Sequence, residues 1–112
     1  MYQDSVHADD IGWNPARFPG VSLKILHENP ESGASLVLRR LEPNAVIPKH
    51  YHTEADETVY VLQGDFVEDG QTHGVGHVFF GKAGIPHGPH TTVNGSIVLT
   101  LFSAKLDVHV VA

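Results

Sequence analysis

The sequence contains no cysteine, few basic side chains and no long apolar run. Without cysteine the chain can form no disulfide, use no thiol nucleophile and offer no thiolate to a metal ion. Seven lysines and arginines are outnumbered by thirteen acids, so the net charge of −6 repels the phosphates of a nucleic acid. No apolar run approaches the roughly 20 residues of a membrane-spanning helix. We therefore expect neither nucleic acid nor membrane as a partner.

The composition is otherwise that of one ordinary globular domain. A chain of 112 residues, 41% hydrophobic and 18% charged, is large enough for a single core and too short for two. Its start is acidic and leads into no apolar stretch, which indicates no secretory signal and therefore a cytoplasmic protein. Nine histidines are many for this length and favour a metal site, because neutral imidazole is the commonest metal ligand.

Short runs of strand-forming residues, separated by Gly, Pro and Asn, begin after residue 20. The predicted strands are Val21–Leu26, Ala34–Leu41, Val46–Pro48, Thr58–Leu62, Asp65–Glu68, Thr72–Val75, His77–Phe80, a short strand at His87, Ser96–Ser103 and Leu106–Val111. Asp69-Gly70 and Asn94-Gly95 are typical of tight hairpins, and no segment has a helical period over three turns. We predict an all-β domain over residues 21–112. An irregular N-terminal arm, residues 1–20, would pack on it or on a dimer partner, with Trp13 as its apolar anchor or as a dimer contact.

Two predicted strands do not alternate between apolar and polar residues. Val59–Leu62 and Ile97–Phe102 are largely apolar on both faces. A strand with one face in water would alternate, so the outer faces of these strands should be covered. Either the N-terminal arm or a second subunit would cover them.

A pair of histidines, His50 and His52, opens the most informative stretch of the chain. Side chains alternate along a strand, so both imidazoles point to one side and Tyr51 points to the other. Glu57 then begins a β-forming run that is expected to pair beside the histidine strand and bring its carboxylate to the same point. His87, which follows a second block of strand residues and a turn, is the candidate fourth ligand. Imidazole and carboxylate donors suit Fe(II), Mn(II), Ni(II), Cu(II) or Zn(II).

The spacing of these residues resembles the two sequence motifs of the cupin superfamily. The matching residues are His50, His52, Glu57 and Gly64 in the first motif and Gly76, Gly84 and His87 in the second. The positions that depart from the family pattern are Asn44, Lys82 and Thr91, where cupins usually carry glycine, proline and asparagine. The sequence pattern is similar to that of small single-domain cupins, among them acetylacetone dioxygenase and the cupin domain of zinc-dependent anti-sigma factors. The resemblance implies a double-stranded β-helix, the cupin jelly-roll barrel, and a homodimer formed by edge-strand pairing.

The same resemblance implies a metal-dependent function. His50, His52, Glu57 and His87 would hold one divalent ion, for which Fe(II) is favoured and Zn, Ni, Mn or Cu are alternatives. Two open positions on the ion would take two oxygens of a small-molecule substrate and stabilise its enolate, with Glu57 or a hydroxide at the ion as the base. The implied activity is an Fe(II)-dependent dioxygenase of a β-dicarbonyl-like substrate. The alternatives are a zinc-type sensor or storage cupin without turnover and a metal-assisted isomerase or lyase.

Further side chains near the predicted site are assigned from strand parity. His73 and His90 compete with His87 for the fourth ligand position, but His90 would face the opposite way from His87 in a regular strand. Arg39 either points inward to hold a substrate carboxylate or, as is commoner for arginine, lies exposed on the outer face. The hydrophobic residues predicted to line the substrate pocket, or to form plain barrel core, are Val59, Val61, Phe66, Phe79 and Phe102.

Overall fold

The computed structural model describes residues 1–112 and is built almost entirely of β-strands. A short 3-10 helix, Ala8–Asp10, lies in the N-terminal arm, and no helix has the length and apolarity needed to cross a membrane. The strands are β1 (Asn14–Pro15), β2 (Val21–Glu28), β3 (Ser35–Leu41), β4 (Val46–Ile47), β5 (His50–Tyr51), β6 (Glu57–Gly64), β7 (Phe66–Glu68), β8 (Gln71–His73), β9 (Val78–Gly81), β10 (His90–Thr91), β11 (Ser96–Phe102) and β12 (His109–Val110).

The strands form two antiparallel sheets and one short strand pair. The larger sheet has the order β1-β2-β3-β11-β6-β9, the smaller has the order β4-β10-β7-β8, and β12 pairs with β5. The main core consists of Val21, Leu41, Ala45, Ile47, Val59, Val61, Phe66 and Val98. These residues come from strands of both sheets and from the turn before β4. The arrangement is that of a jelly roll, so the predicted all-β class and double-stranded β-helix are confirmed.

The path of the chain after the histidine pair differs from the prediction. β6, which starts at Glu57, pairs with β11 and β9 and not with the histidine strand β5. β5 pairs instead with β12, and His50 forms an isolated bridge with His87, which belongs to no strand. Residues 53–56, in which Ala55 is fully buried, carry the chain from the β5–β12 pair to the larger sheet. The predicted hairpin is therefore a crossover between sheets.

The two predicted hairpin dipeptides have different outcomes. Asp69-Gly70 has positive φ at both residues and joins β7 to β8, as in a two-residue type I′ hairpin. Asn94-Gly95 instead connects β10 of the smaller sheet to β11 of the larger one, so the hairpin predicted there was wrong. The carboxylate of Asp65 fixes this connection by accepting hydrogen bonds from the backbone N–H groups of Val93 at 2.7 Å and Asn94 at 2.9 Å.

The outer face of the larger sheet is only partly covered. Burial alternates along β6, where Val61 is fully buried while Tyr60 and Leu62 are 41% and 39% exposed. The N-terminal arm covers the opposite end of the sheet, where Lys24 of β2 places its ammonium 4.7 Å from the centroid of the Trp13 ring. The N-terminal arm therefore does not cover β6, and the covering of its outer face by a second subunit stays a prediction. The residues of what we call the exposed apolar face are Tyr60, Leu62, Val78, Phe80 and Leu101.

Candidate metal centre

Three imidazoles and one carboxylate meet inside the barrel. Ligand atoms of His50, His52, Glu57 and His87 all lie within 4.8 Å of one another. The Nε2 atoms of His50 and His87 are 3.1 Å apart. Oε2 of Glu57 lies 2.9 Å from Nε2 of His87 and 3.6 Å from Nε2 of His52. Four donors that converge on one point from separate parts of the chain could hold one metal ion.

Backbone pairing brings the two histidine segments together. His50 and His87 exchange two N–H···O bonds of 3.0 and 2.8 Å, and the Gly84 N–H donates to the His52 carbonyl at 2.7 Å. His50 and His52 are both buried, while Tyr51 faces away and stacks on an exposed ring, as the alternation of side chains predicts. Alternation along the strand predicts the face of the pair, but no pattern in the sequence predicts that the His87 backbone pairs directly with His50.

Carbonyl groups fix the tautomers of His50 and His52. Nδ1 of His50 donates to the Pro48 carbonyl at 2.6 Å, and Nδ1 of His52 donates to the Asp107 carbonyl at 2.7 Å. A carbonyl only accepts, so each Nδ1 carries the proton and each Nε2 keeps a lone pair that points into the cluster. Nε2 of His52 is buried and has no hydrogen-bond partner. An unpartnered lone pair among three other donors, with no thiolate present, fits a divalent transition-metal ion.

A buried arginine holds Glu57 from behind. Nη2 of Arg39 donates to Glu57 Oε1 at 2.8 Å, and its Nε and Nη2 donate to Oγ1 of Thr100 at 3.3 and 3.1 Å. The prediction that Arg39 lies exposed on the outer face is therefore wrong. Arg39 belongs to the set of alternate β3 residues that face the interior. Its charge is also paired with Glu57. The guanidinium orients Oε1 and leaves Oε2 facing the histidines.

The surroundings of the ligand side chains shift their pKa values. Burial, together with the charge that neighbouring imidazoles can carry, lowers the pKa of His50 to about 4. Burial alone would raise the pKa of Glu57, but Arg39 and the facing imidazoles hold that pKa well below its ordinary value. Burial would lower the pKa of His52, but the Glu57 carboxylate and the Asp107 carbonyl raise it. Near neutral pH His50 is therefore a free base and Glu57 an anion, as metal ligation requires.

His90 lies beside the cluster, and the prediction that it faces away from His87 was wrong. It is 6% exposed, and its ring centroid lies 5.3 Å from that of His87 and 5.6 Å from that of His50. The strand is not regular here, because Gly88 has φ +93° and β10 begins only at His90. Nδ1 of His90 is hydrogen-bonded to Glu68, whose other oxygen accepts from the Gly88 N–H. His90 is thus tied to a carboxylate of its own and is not one of the four converging donors.

Two cavities flank the four ligand residues. The larger, of about 570 Å³, is bounded by His50 and His52, and the smaller, of about 200 Å³, by Glu57 and His87. The predicted pocket residues divide between them, the larger cavity being lined by Arg39 and Phe102 and the smaller by Val59, Phe66 and Phe79. Val61 is fully buried in the core and lines neither. Strand parity therefore identified the inward face but not which inward residues border open space.

Sequence reasoning missed three groups that support the site. Pro48 and Asp107 act through backbone carbonyls, which have no side-chain signature in the sequence. Thr100 could have been placed inside by parity, because alternate residues of β11 are buried. His73, the other competitor for the fourth position, packs against His77 with 4.0 Å between ring centroids and lies outside the cluster.

Gly81 of β9 leaves room for the His87 ring. A Cβ at position 81 would lie 2.7 Å from Nδ1 and 3.2 Å from Cε1 of His87. We expect Gly81→Ala to displace the ring and weaken metal affinity about tenfold or more, as loss of the groups that orient a ligand does. Metal titration of the purified variant measures this. Gly74→Ala is the control, because a Cβ there meets nothing within 4 Å. Equal affinities in the two variants would contradict the assignment of His87.

Known proteins share this fold. The family model of the ChrR cupin-like domain matches residues 2–106. KdgF from Halomonas sp. is 28% identical over 86% of this chain and 90% of its own, with a TM-score of 0.75. The polyketide cyclase RemF from Streptomyces resistomycificus is 22% identical over 99% of this chain and 87% of its own, with a TM-score of 0.77. An acetylacetone dioxygenase from Acinetobacter johnsonii is 15% identical over 92% of this chain and 74% of its own, with a TM-score of 0.72. A search of curated protein sequences found no match.

These similarities differ in what they establish. The cyclase and the dioxygenase share too little sequence with this chain to show more than its fold. The family model, in contrast, covers nearly the whole chain and includes all four converging ligand residues. The cupin resemblance of the histidine, glutamate and glycine spacing is therefore confirmed, and the chain belongs to the family of ChrR cupin-like domains.

Proposed function

We propose that the protein is an Fe(II)-dependent dioxygenase that acts on an enolisable, β-dicarbonyl-like substrate. The supporting observation is that two of the four converging donors, His50 and His52, lie in the wall of a cavity of about 570 Å³, ten of whose twenty lining residues are hydrophobic. A divalent ion at this site would supply Lewis acidity toward two neighbouring oxygens of such a substrate. The acetylacetone dioxygenase of the same fold suggests the class of substrate.

The residues around the site have separate roles in this reaction. His50 and His52 present fixed Nε2 lone pairs, because carbonyl groups hold their Nδ1 protons. Arg39 holds Oε1 of Glu57, so that Oε2 stays directed at the histidines. That Glu57 accepts the substrate proton stays a prediction. Its lowered pKa makes Glu57 a weak base, so the substrate would have to be strongly acidified to lose a proton to it. The apolar cavity walls keep water away from the enolate.

Oxygen uptake tests this proposal. Protein loaded with Fe(II) under argon and then mixed with aerobic buffer and a panel of 1,3-diketones and flavonols should consume about one dioxygen per substrate lost, because a dioxygenase places both oxygen atoms in its products and needs no reductant. The zinc-loaded protein is the matched control and should consume none, because zinc has no redox chemistry. Product formation without oxygen uptake would indicate the isomerase or lyase, and a lack of turnover with every metal would contradict an enzyme.

One observation favours a second candidate, a metal sensor or storage protein without turnover. The matching family model is the ChrR cupin-like domain, and the chain resembles the cupin domain of zinc-dependent anti-sigma factors. Such a function requires that zinc be retained tightly, without a place for a substrate. The cavity beside His50 and His52 favours the enzyme over a protein that only stores or retains a metal ion, because holding the ion alone requires no open space of that volume.

We also propose a homodimer that buries the exposed apolar face. Its five side chains are between 39% and 67% exposed, and a contiguous apolar patch on a sheet commonly marks an interface. β9 forms a free edge of the same sheet, so two copies can pair edge to edge. Sedimentation should give twice the mass of one chain. Phe80→Asp should shift it to one chain, and Val75→Asp, which changes an exposed valine outside this face, should not. A wild-type protein that sediments as a single chain would contradict the dimer.

A further inference from the structure

The larger cavity exceeds the needs of a simple 1,3-diketone. Its volume is about 570 Å³. At about 30 Å³ per molecule of liquid water, a diketone of about seven non-hydrogen atoms occupies on the order of 200 Å³ at most. Much of the remaining space is bounded by apolar side chains, among them Leu23, Val37 and Leu106. A substrate that fills the cavity therefore carries an apolar body beyond its enolisable end.

Two cations without an acidic partner stand where this cavity meets solvent. Arg17 of the N-terminal arm and Lys105, which follows β11, both line the cavity and are exposed. Neither takes part in an ion pair, and Glu28 is the one acid in the lining. The rim therefore has a surplus of positive charge in a chain whose net charge is −6. Such a local reversal of charge attracts an anion.

The guanidinium of Arg17 is held in place with donors to spare. Nη1 donates to the Val108 carbonyl at 3.1 Å, and the group lies 5.3 Å from the centroid of the Phe18 ring. Arginine carries five N–H donors in a fixed fork, so several remain for a second acceptor. A guanidinium anchored by a carbonyl at the edge of a cavity is suited to a carboxylate, which it can bind through two parallel hydrogen bonds.

We propose that the substrate is an amphipathic carboxylate with three parts: a dicarbonyl end at His50 and His52, an apolar chain, and an anionic end at Arg17 and Lys105. The order follows from burial, because the two histidines are buried while the two cations are exposed at the rim of the same cavity. Only the dicarbonyl end rests on the proposed function. The apolar chain is inferred from the walls of the cavity, and the anionic end is inferred from the two cations at its rim.

Two probes that differ in one terminal group test the anionic end. Nonane-2,4-dione and 6,8-dioxononanoate share the dicarbonyl and the chain, and only the second ends in a carboxylate. Calorimetric titration of metal-loaded protein should show about tenfold tighter binding of the carboxylate, because two partly exposed charge contacts add a few-fold each. Lys105→Gln, which loses no hydrogen bond of the structure, should reduce this preference about threefold. Arg17→Gln/Lys105→Gln should abolish it without weakening the neutral probe.

The controls separate this inference from the proposed function. Arg40→Gln removes a cation that lies over Trp13 on the outer face, and it should keep the full preference. Equal affinities for the two probes in the wild-type protein, or a preference that survives in the double variant, would overturn the proposal. Repeating the titrations without metal tests the function alone. If neither probe then binds more weakly but the carboxylate is still preferred, the anion site stands and the dicarbonyl chemistry fails.

Discussion

His52→Ala is expected to retain far less metal than the wild-type protein, which should purify with about one equivalent. The binding free energy of a structural zinc ion, roughly 10–16 kcal/mol, is shared by about four ligands, so loss of one should weaken affinity on the order of 10²- to 10³-fold. Nε2 of His52 is the buried lone pair that no other group satisfies, so its loss removes a donor that has no substitute. Elemental analysis after dialysis, of protein expressed without added metal, measures the effect.

A matched variant and a stability measurement make the His52 result specific. His27→Ala removes an exposed imidazole from β2 and should keep its metal. Metal should stabilise the wild type by about 4 kcal/mol at a thousandfold excess over Kd, and His52→Ala should gain almost nothing under the same conditions. Without metal, the free energies of unfolding of wild type and His52→Ala should differ less, because the substitution also removes a buried unpaired nitrogen. Equal metal content in His27→Ala and His52→Ala would show that the cluster does not bind the ion.

The convergence of the four donors could be predicted because it rests on local rules and on spacing. Alternation along an extended segment directs His50 and His52 to the same side, whatever the rest of the chain does. The interval to Glu57 and the glycine pattern before His87 matched a known family, and the structure places all four ligand atoms within 4.8 Å. The alternation of strands and turn residues likewise sufficed for the all-β class.

The errors concern groups whose surroundings are set by distant parts of the chain. Arg39 is buried because Glu57 and Thr100, on two other strands, meet its guanidinium. No local pattern around Arg39 contains that information. The orientation of His90 depends on the left-handed conformation of Gly88, which glycine permits but does not require. The pairing of β5 with β12 similarly joins segments more than fifty residues apart.

The charge balance of the site links its architecture to its chemistry. Glu57 and Arg39 neutralise each other, and His50 and His52 each direct Nε2 into the cluster because their Nδ1 atoms donate to backbone carbonyls. A divalent ion bound here would keep its full charge for the proposed substrate, because Arg39 already balances the charge of the carboxylate ligand. A low-dielectric cavity strengthens that attraction for an anionic enolate.

Arg39→Met is expected to destabilise the metal-free protein by about 3–5 kcal/mol, the usual cost of removing one partner from a buried ion pair. Glu57 is 3% exposed, so its carboxylate would lose its cation without gaining water. Arg40→Met is the matched control, because Arg40 lies over Trp13 on the outer face and forms no ion pair there. It should cost less than about 1 kcal/mol. Urea unfolding of both variants in the presence of a chelator measures the difference.

Two further measurements show whether the lost charge is the cause. Glu57→Gln in the Arg39→Met chain should restore part of the stability, and a saturating divalent ion should do the same for Arg39→Met alone, because either change relieves the unpaired carboxylate. Since the pKa of Glu57 lies well below its ordinary value in the folded wild type, the ion pair stabilises the protein above that ordinary value. This contribution is lost as the pH falls through the folded-state pKa, so wild type and Arg39→Met should converge in stability in acid. If Arg39→Met is equally unstable with and without Glu57→Gln, lost packing of the arginine stem, and not its charge, holds this wall of the site together.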